Sequence, residues 1–314
     1  MKQILLLITF LFLFYSLFAQ KPENNKQQLN NQLNLEGYIM PLYQFNDESN
    51  NFELNYLRLK SKGMITNFLG YFIQFDVAKK PTIKDASIDL KFNKYINLRI
   101  GQFKYHFGIY KKPWDFPTIY KPSIVSHLFG DPRDIGIQLS GSVGKLDYYA
   151  YVMNGTARGV GEDDKNKTTL LSIDYSLNSN LKIGTSHYLG SRNFNEYESQ
   201  ILAAKRNRNS VYFWYDNQKL LMQFESIWGA DYLYSHYGHY LIIGYHINKI
   251  VQPVFRYDYM QSDFISSVGT KLAGGINFHF SERFYLRSIF EFNNYSGSEF
   301  KFERMALELG VMLF

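Results

Sequence analysis

In FLGYFIQFDV, residues 68–77, the side chains of Leu69, Tyr71, Ile73, Phe75 and Val77 share one face of an extended chain, and those of Gly70, Phe72, Gln74 and Asp76 share the other. Alternation with period two is the mark of a strand with one oily side and one mostly polar side. The pattern returns in ASIDLKF, where Ala86, Ile88, Leu90 and Phe92 oppose Ser87, Asp89 and Lys91. It returns again in VQPVFRYDY, with Arg256 and Asp258 on the polar face, and in RFYLRSIFEF, with Arg287 and Glu291 there. Segments of this kind run near 34–45, 51–62, 67–78, 83–92, 95–106, 133–142, 145–154, 168–177, 180–189, 209–217, 219–228, 238–247, 250–260, 268–280, 283–294 and 302–314. Their lengths suit membrane strands, and an even number of them suits an antiparallel barrel.

The connections also alternate. FNKY, SVGK, LNSN, NQK, INK and SER are tight, whereas 107–132, 155–167 and 190–208 are long. Short turns at one end and longer loops at the other are the plan of outer-membrane barrels, and an even count puts both termini at the short-turn, periplasmic end. A soluble β-sandwich alternates as well. It has no use, however, for a chain that is 18% aromatic, with 26 tyrosines and 27 phenylalanines, whereas interfacial aromatic girdles do.

The N-terminus, MKQILLLITFLFLFYSLFAQ, has a charged start, an apolar run and small residues at a plausible cut, which is the order of a secretory signal. We expect residues 1–19 to be a cleaved signal peptide, 20–33 a polar, flexible lead-in and 34–314 the barrel domain. Beyond the signal no run approaches the ~18 apolar residues of a helical span, which leaves a closed barrel as the spanning structure. The chain has no cysteine, so no disulfide framework is available. Its net charge of +6 is modest and unclustered, which argues against a nucleic-acid partner.

The longest connection contains IYKKPWDFPTIYKP, residues 109–122, with three of the eight prolines and Trp114, Phe116 and Ile119. Proline suits neither a central strand nor its ladder, and so many apolar side chains do not suit a freely solvated loop. A sixteen-stranded barrel is wide enough to hold a lumen that an inward loop narrows. Two readings stand: a third outer loop folded into the lumen, or a loop that caps the barrel or packs on a neighbouring subunit. The inward fold is preferred, because charged constrictions are how such pores select. Lys111, Lys112 and Lys121 would then set the preference, with His127 nearby, and replacing the three lysines by glutamate should reverse or abolish it.

NYLRLKSKG, RIGQFKYHFG, GDPRDIGIQLSG, QPVFRYDY and LAGGINFHF, in that order along the chain, resemble the recurring motifs of the phosphate-selective porin O and P family. The resemblance implies a sixteen-stranded homotrimeric porin of a Gram-negative outer membrane that passes small anionic solutes such as phosphate by passive diffusion. It would be delivered by the barrel-assembly machinery and surrounded by outer-membrane lipid. Phe314, the last residue, fits recognition by that machinery. Carried over residue by residue, the resemblance matches Arg58 to a basic second-strand position, Arg99 with Gln102 to the fifth-strand motif, Arg133 with Asp134 to the RDIG motif and Arg256 with Asp258 to the RYDY motif. Arg133 is then expected at the constriction with the loop lysines, and Arg58, Arg99 and Arg256, with Arg287 from the polar face of its own strand, on a basic lumen wall. The loop cations are lysines, point charges without the arginine fork that matches phosphate. Most wall arginines should pair with Asp76, Asp89, Glu225, Asp258 or Glu291 and hold the wall together.

No cofactor or enzyme motif emerges. His236, His239 and His246 lie close in sequence, but 236 and 239 point to opposite faces of a strand, as do Ser186 and His187. Rival readings are a general porin or one for sugars or carboxylates, a barrel enzyme, and an adhesive barrel without conductance.

Overall fold

The computed structural model describes residues 34–80, 82–109, 114–129, 132–162, 165–196, 200–263, 267–295 and 299–314. The expected signal peptide and lead-in, and Lys111 and Lys112, lie outside the described residues. Sixteen strands form a closed antiparallel barrel. They are β1 Asn34–Phe45, β2 Asn50–Met64, β3 Leu69–Asp76, β4 Ile83–Lys91, β5 Asn97–Lys104, β6 Arg133–Val143, β7 Leu146–Met153 and β8 Thr168–Ser176. The second half comprises β9 Leu181–Glu196, β10 Gln200–Asp216, β11 Leu220–Asp231, β12 Tyr234–Tyr245, β13 Val251–Ser262, β14 Ser267–Ser281, β15 Phe284–Tyr295 and β16 Lys301–Met312. Among the described residues one helix, α1, Ser123–Phe129, lies in the β5–β6 connection. Each strand pairs with its sequence neighbours, and β1 pairs with β16 from Tyr38↔Met312 to Phe45↔Met305, which leaves no open edge.

Period two sorts the side chains as the sequence implies, and does so inside out. On β13, Gln252, Val254, Arg256, Asp258, Met260 and Ser262 are buried toward the lumen, and Phe255 is exposed outward. On β15, Tyr285, Arg287, Ile289 and Glu291 point in, and Phe284, Phe290 and Phe292 point out. The outer face carries the large apolar side chains, the arrangement a barrel in a bilayer requires. Phe290 sits at the centre of β15 on that face, and Phe290→Arg is expected to cost about 2–4 kcal/mol, the penalty for a cation at the bilayer midplane. Urea unfolding from lipid vesicles measures it, and a negligible cost would mean that this face does not meet lipid.

Four of the tight turns share one mechanism. Asn93 Oδ1 accepts hydrogen bonds from the amides of Tyr95 and Ile96, Asn178 Oδ1 from Asn180 and Leu181, Asn217 Oδ1 from Lys219 and Leu220, and Asn248 Oδ1 from Ile250 and Val251. A short amide side chain that mimics the next backbone carbonyl closes the turn locally, which is why asparagine recurs there. Pro41, unable to donate to a ladder, stands where the β1–β2 register shifts.

One connection departs from expectation. Residues 190–208 are not a long loop: β9 and β10 stay paired out to Glu196↔Gln200. The segment is polar and so lacks the apolar face that marks a membrane strand, but a hairpin ladder satisfies its own backbone without one.

Candidate functional site

The β5–β6 connection begins where Tyr105 donates its amide to the Pro132 carbonyl at 3.0 Å, closing a neck. Beyond the neck, its described residues are bonded to inward-facing side chains around much of the barrel. His106 donates its amide to Tyr151 Oη of β7, and its Nε2 lies 3.2 Å from both Asp174 Oδ1 of β8 and Tyr212 Oη of β10. The Gly108 amide reaches Ser186 Oγ of β9 at 3.0 Å, and the Ile109 amide reaches Glu225 Oε2 of β11 at 3.2 Å. Gly108 has φ +62°, and a Cβ there would fall 1.6 Å from Glu225 Oε1, so only glycine passes this point unstrained.

Farther along, the backbone carbonyls of the connection are held by the wall. Arg287 Nη2 donates to Trp114 O at 2.5 Å, Asn277 Nδ2 to Pro117 O at 2.9 Å and Arg256 Nη1 to Tyr120 O at 2.7 Å. The Trp114 ring rests 4.7 Å from that of Tyr285 and 5.7 Å from that of Tyr38. Tyr120 donates its hydroxyl to Gln44 Oε1 at 2.9 Å, and burial pushes its phenol pKa up to about 12. Helix α1 is tied at both ends: Ser123 Oγ donates to Asp258 Oδ1 at 2.6 Å, and Arg208 Nη1 caps the Leu128 carbonyl at 2.5 Å. Ile124, fully buried, packs on Gly238 of β12, where a Cβ would fall 2.7 Å from its own. His127 Nε2 lies 3.3 Å from Ser262 Oγ; burial and then the Arg208 charge hold the imidazole below its ordinary pKa.

Between this connection and the opposite wall lies a cavity of about 310 Å³. Among the described residues lining it, eight are basic: Arg58, Lys79, Lys80, Lys84, Lys104, Lys121, Arg133 and Arg158. Two carboxylates, Glu225 and Glu308, face it. Behind the rim, Asp76 receives Arg58 Nε at 3.0 Å, and Asp85 receives Arg133 Nε and Nη2, both at 3.1 Å. With these four carboxylates set against the eight cations, four positive charges remain. Lys79 donates to Asn55 Oδ1 at 2.9 Å and, with Arg58, lies over the Tyr56 ring. Apart from Lys121, the connection side is mostly apolar: Phe107, Ile109, Phe116, Ile119, Val125 and Phe129.

The expected site residues are distributed accordingly. Lys121, Arg133 and Arg58 line the cavity. Arg99 is paired with Asp89 at 2.6 Å and stands apart from it. Arg256, 1% exposed, bridges Asp258 at 2.8 Å and Glu291 at 2.5 Å beneath the connection. Arg287 lies 3.6 Å from Glu308 and 4.0 Å from the Tyr285 ring centroid. Glu225, grouped in the sequence with the carboxylates that pair with arginine, instead accepts from Tyr240 Oη at 2.7 Å and Ser210 Oγ at 2.6 Å. Lys79, Lys80, Lys84, Lys104 and Arg158 escaped the sequence reading. The doubled lysine in AKKPTIK, residues 78–84, was the available signal, and it reads as a solvated turn until the barrel closes around it.

Arg256 separates two buried carboxylates while holding a carbonyl of the connection. Removing one partner of a buried pair leaves uncompensated charge, so Arg256→Met is expected to cost about 3–5 kcal/mol. Chemical unfolding measures the loss, and adding Asp258→Asn and Glu291→Gln should recover much of it.

The phosphate-selective porin O and P family model matches residues 26–211. No curated protein sequence matches the chain. Solved structures share the fold. A loop L8 deletion mutant of OmpT, an outer membrane protein of Vibrio cholerae, aligns with TM-score 0.70 at 10% identity, covering 90% of this chain and 98% of that one. The anion-selective porin from Comamonas acidovorans aligns with TM-score 0.68 at 12% identity over 90% and 99% of the two chains. OmpF of Salmonella typhi, solved with daunomycin, aligns with TM-score 0.70 at 12% identity over 90% and 98%.

Proposed function

The chain belongs to the phosphate-selective porin O and P family, and on that premise we propose that it forms a diffusion pore for small, preferentially anionic solutes, phosphate among them. As a porin of the Gram-negative outer membrane it provides a channel. The observation that carries the anion preference is the cavity between the β5–β6 connection and the facing wall, where basic side chains outnumber carboxylates eight to two among the described residues. The sign of charge at the narrowest point sets which ion enters. Lys121, before α1, and Arg133, at the start of β6, contribute to that field, and Arg58 contributes from β2. Arg99, Arg256 and Arg287 hold the wall and the connection in place. In this reading the connection is a fixed constriction, a role supported by wall hydrogen bonds to its backbone at Gly108, Ile109, Trp114, Pro117 and Tyr120. We further propose that three copies assemble as a homotrimer, in line with the OmpT of Vibrio cholerae solved in a trimer form. Lipid then meets the outward aromatic face.

The test is the reversal potential of the refolded protein in a planar bilayer under a potassium chloride gradient. A potential favouring chloride supports the reading. A potential favouring potassium, or none, would leave a general or other-solute porin; a folded barrel that carries no current would point to a barrel enzyme or an adhesin.

A further inference from the structure

The cations and the apolar surface of the constriction face each other. On one side stand Lys79, Lys80, Lys84 and Lys104; on the other, Ile109, Phe116, Ile119 and Val125, each partly exposed and accompanied by the single cation Lys121, look across the same 310 Å³. From this juxtaposition we infer that the constriction is matched to organic anions that join a carboxylate to an apolar body, in preference to inorganic phosphate. The inference rests on the anion reading above and names its substrate class.

Phosphate recognition calls on arginine forks and a polar surround. Arg133 commits its fork to the wall, directing Nε and Nη2 to Asp85, while Arg58 directs Nε to Asp76 and Arg158 Nη2 donates to the Lys80 carbonyl at 3.3 Å. The cations that reach the cavity most openly are Lys79 and Lys80, both exposed. Lysine supplies a point charge with rotatable donors, enough for a carboxylate oxygen. A hydrated phosphate dianion gains nothing from Ile109, Phe116, Ile119 and Val125, and must leave part of its hydration against them. A carboxylate with an alkyl or aryl body turns its charge to the lysines and removes apolar surface from water on the other side. Each fully buried methylene is worth about fourfold in affinity. The asymmetry also orients the solute, carboxylate toward the β3–β4 connection and body toward the β5–β6 connection.

The experiment is a series of block measurements on the chloride current through the wild-type pore at constant ionic strength, preceded by the reversal potential in potassium chloride. Acetate, propionate, butyrate and hexanoate are compared with phosphate, and with butanol as an uncharged control. With chloride preferred, the half-blocking concentration is expected to fall by about two- to fourfold per methylene. Phosphate should block no better than acetate, and butanol should block far more weakly than butyrate. The double variant Phe116→Ser/Ile119→Ser should flatten the series, with the barrel's folding checked by its heat-modifiable migration. A chloride-preferring pore with a flat series, or with phosphate the stronger blocker, overturns this inference and leaves the anion reading standing. A pore without chloride preference overturns the anion reading itself, and the inference with it.

Discussion

Replacing Lys79, Lys80 and Lys121 by glutamate is expected to turn the chloride-preferring pore into a potassium-preferring one. The three side chains reach the cavity from both of its sides, Lys79 and Lys80 from the β3–β4 connection and Lys121 from the segment before α1. None is deeply buried, so the barrel should tolerate the change. Each substitution moves the local charge by two units. A unit charge about 8 Å from an ion in water contributes about 0.5 kcal/mol. At 0.1 M salt, with a screening length near 10 Å, roughly half of that survives. Six such units amount to about 1.5 kcal/mol, about a tenfold loss of anion occupancy, with the opposite effect on cations. The reversal potential under a potassium chloride gradient reads the result directly. Retained chloride preference would place the selecting cations elsewhere, with Lys111 and Lys112 the next to replace.

The second large effect is expected from Gly108→Val, which acts on conductance as well as selectivity. Gly108 holds a left-handed conformation that costs a branched residue about 1–3 kcal/mol. Its new Cβ would also occupy the place of Glu225 Oε1. Glu225 is buried, accepts the Ile109 amide, and takes hydroxyl hydrogen bonds from Ser210 and Tyr240. Displacing it leaves buried donors unsatisfied, at a further cost of about 1–3 kcal/mol each. The connection is then released where it first meets β9 and β11. Single-channel conductance should rise and chloride preference should weaken together, because the apolar side of the constriction withdraws from the lysines. Gly108→Ala, smaller but equally strained, should move both in the same direction and less far. An unchanged conductance in a folded Gly108→Val barrel would mean that this stretch does not narrow the pore.

Much of this architecture was legible along the chain. A strand whose faces meet lipid and lumen alternates strictly, and Tyr71, Ile73 and Phe75 against Gln74 and Asp76 announce that without reference to any other strand. Arg58 with Asp76, Arg99 with Asp89 and Arg256 with Asp258 were legible as ion pairs because each pair lies on one strand or on adjacent hairpin strands. The hairpin at 190–208 was not, because its backbone pairing needs no apolar pattern. Glu225 was misread for a different reason: its partners are the Ile109 amide, 116 residues earlier, and two hydroxyls, and nothing in the local pattern distinguishes those from an arginine.

The amino-acid sequence by itself determined the barrel, its sixteen strands, the face that meets lipid and the turns that close one end, since period two and the asparagine turns act over a few residues. Only the tertiary structure decided which charges meet. Lys79, Lys80, Lys104, Lys121 and Arg158 belong to four separate stretches of chain, and Phe116 and Ile119 face them only because Arg287, Asn277 and Arg256 hold the backbone of the connection against the far wall. The field and the apolar surface at one point of a lumen sum over elements distant in sequence. That sum exists once closure of β1 on β16 brings the far wall within reach.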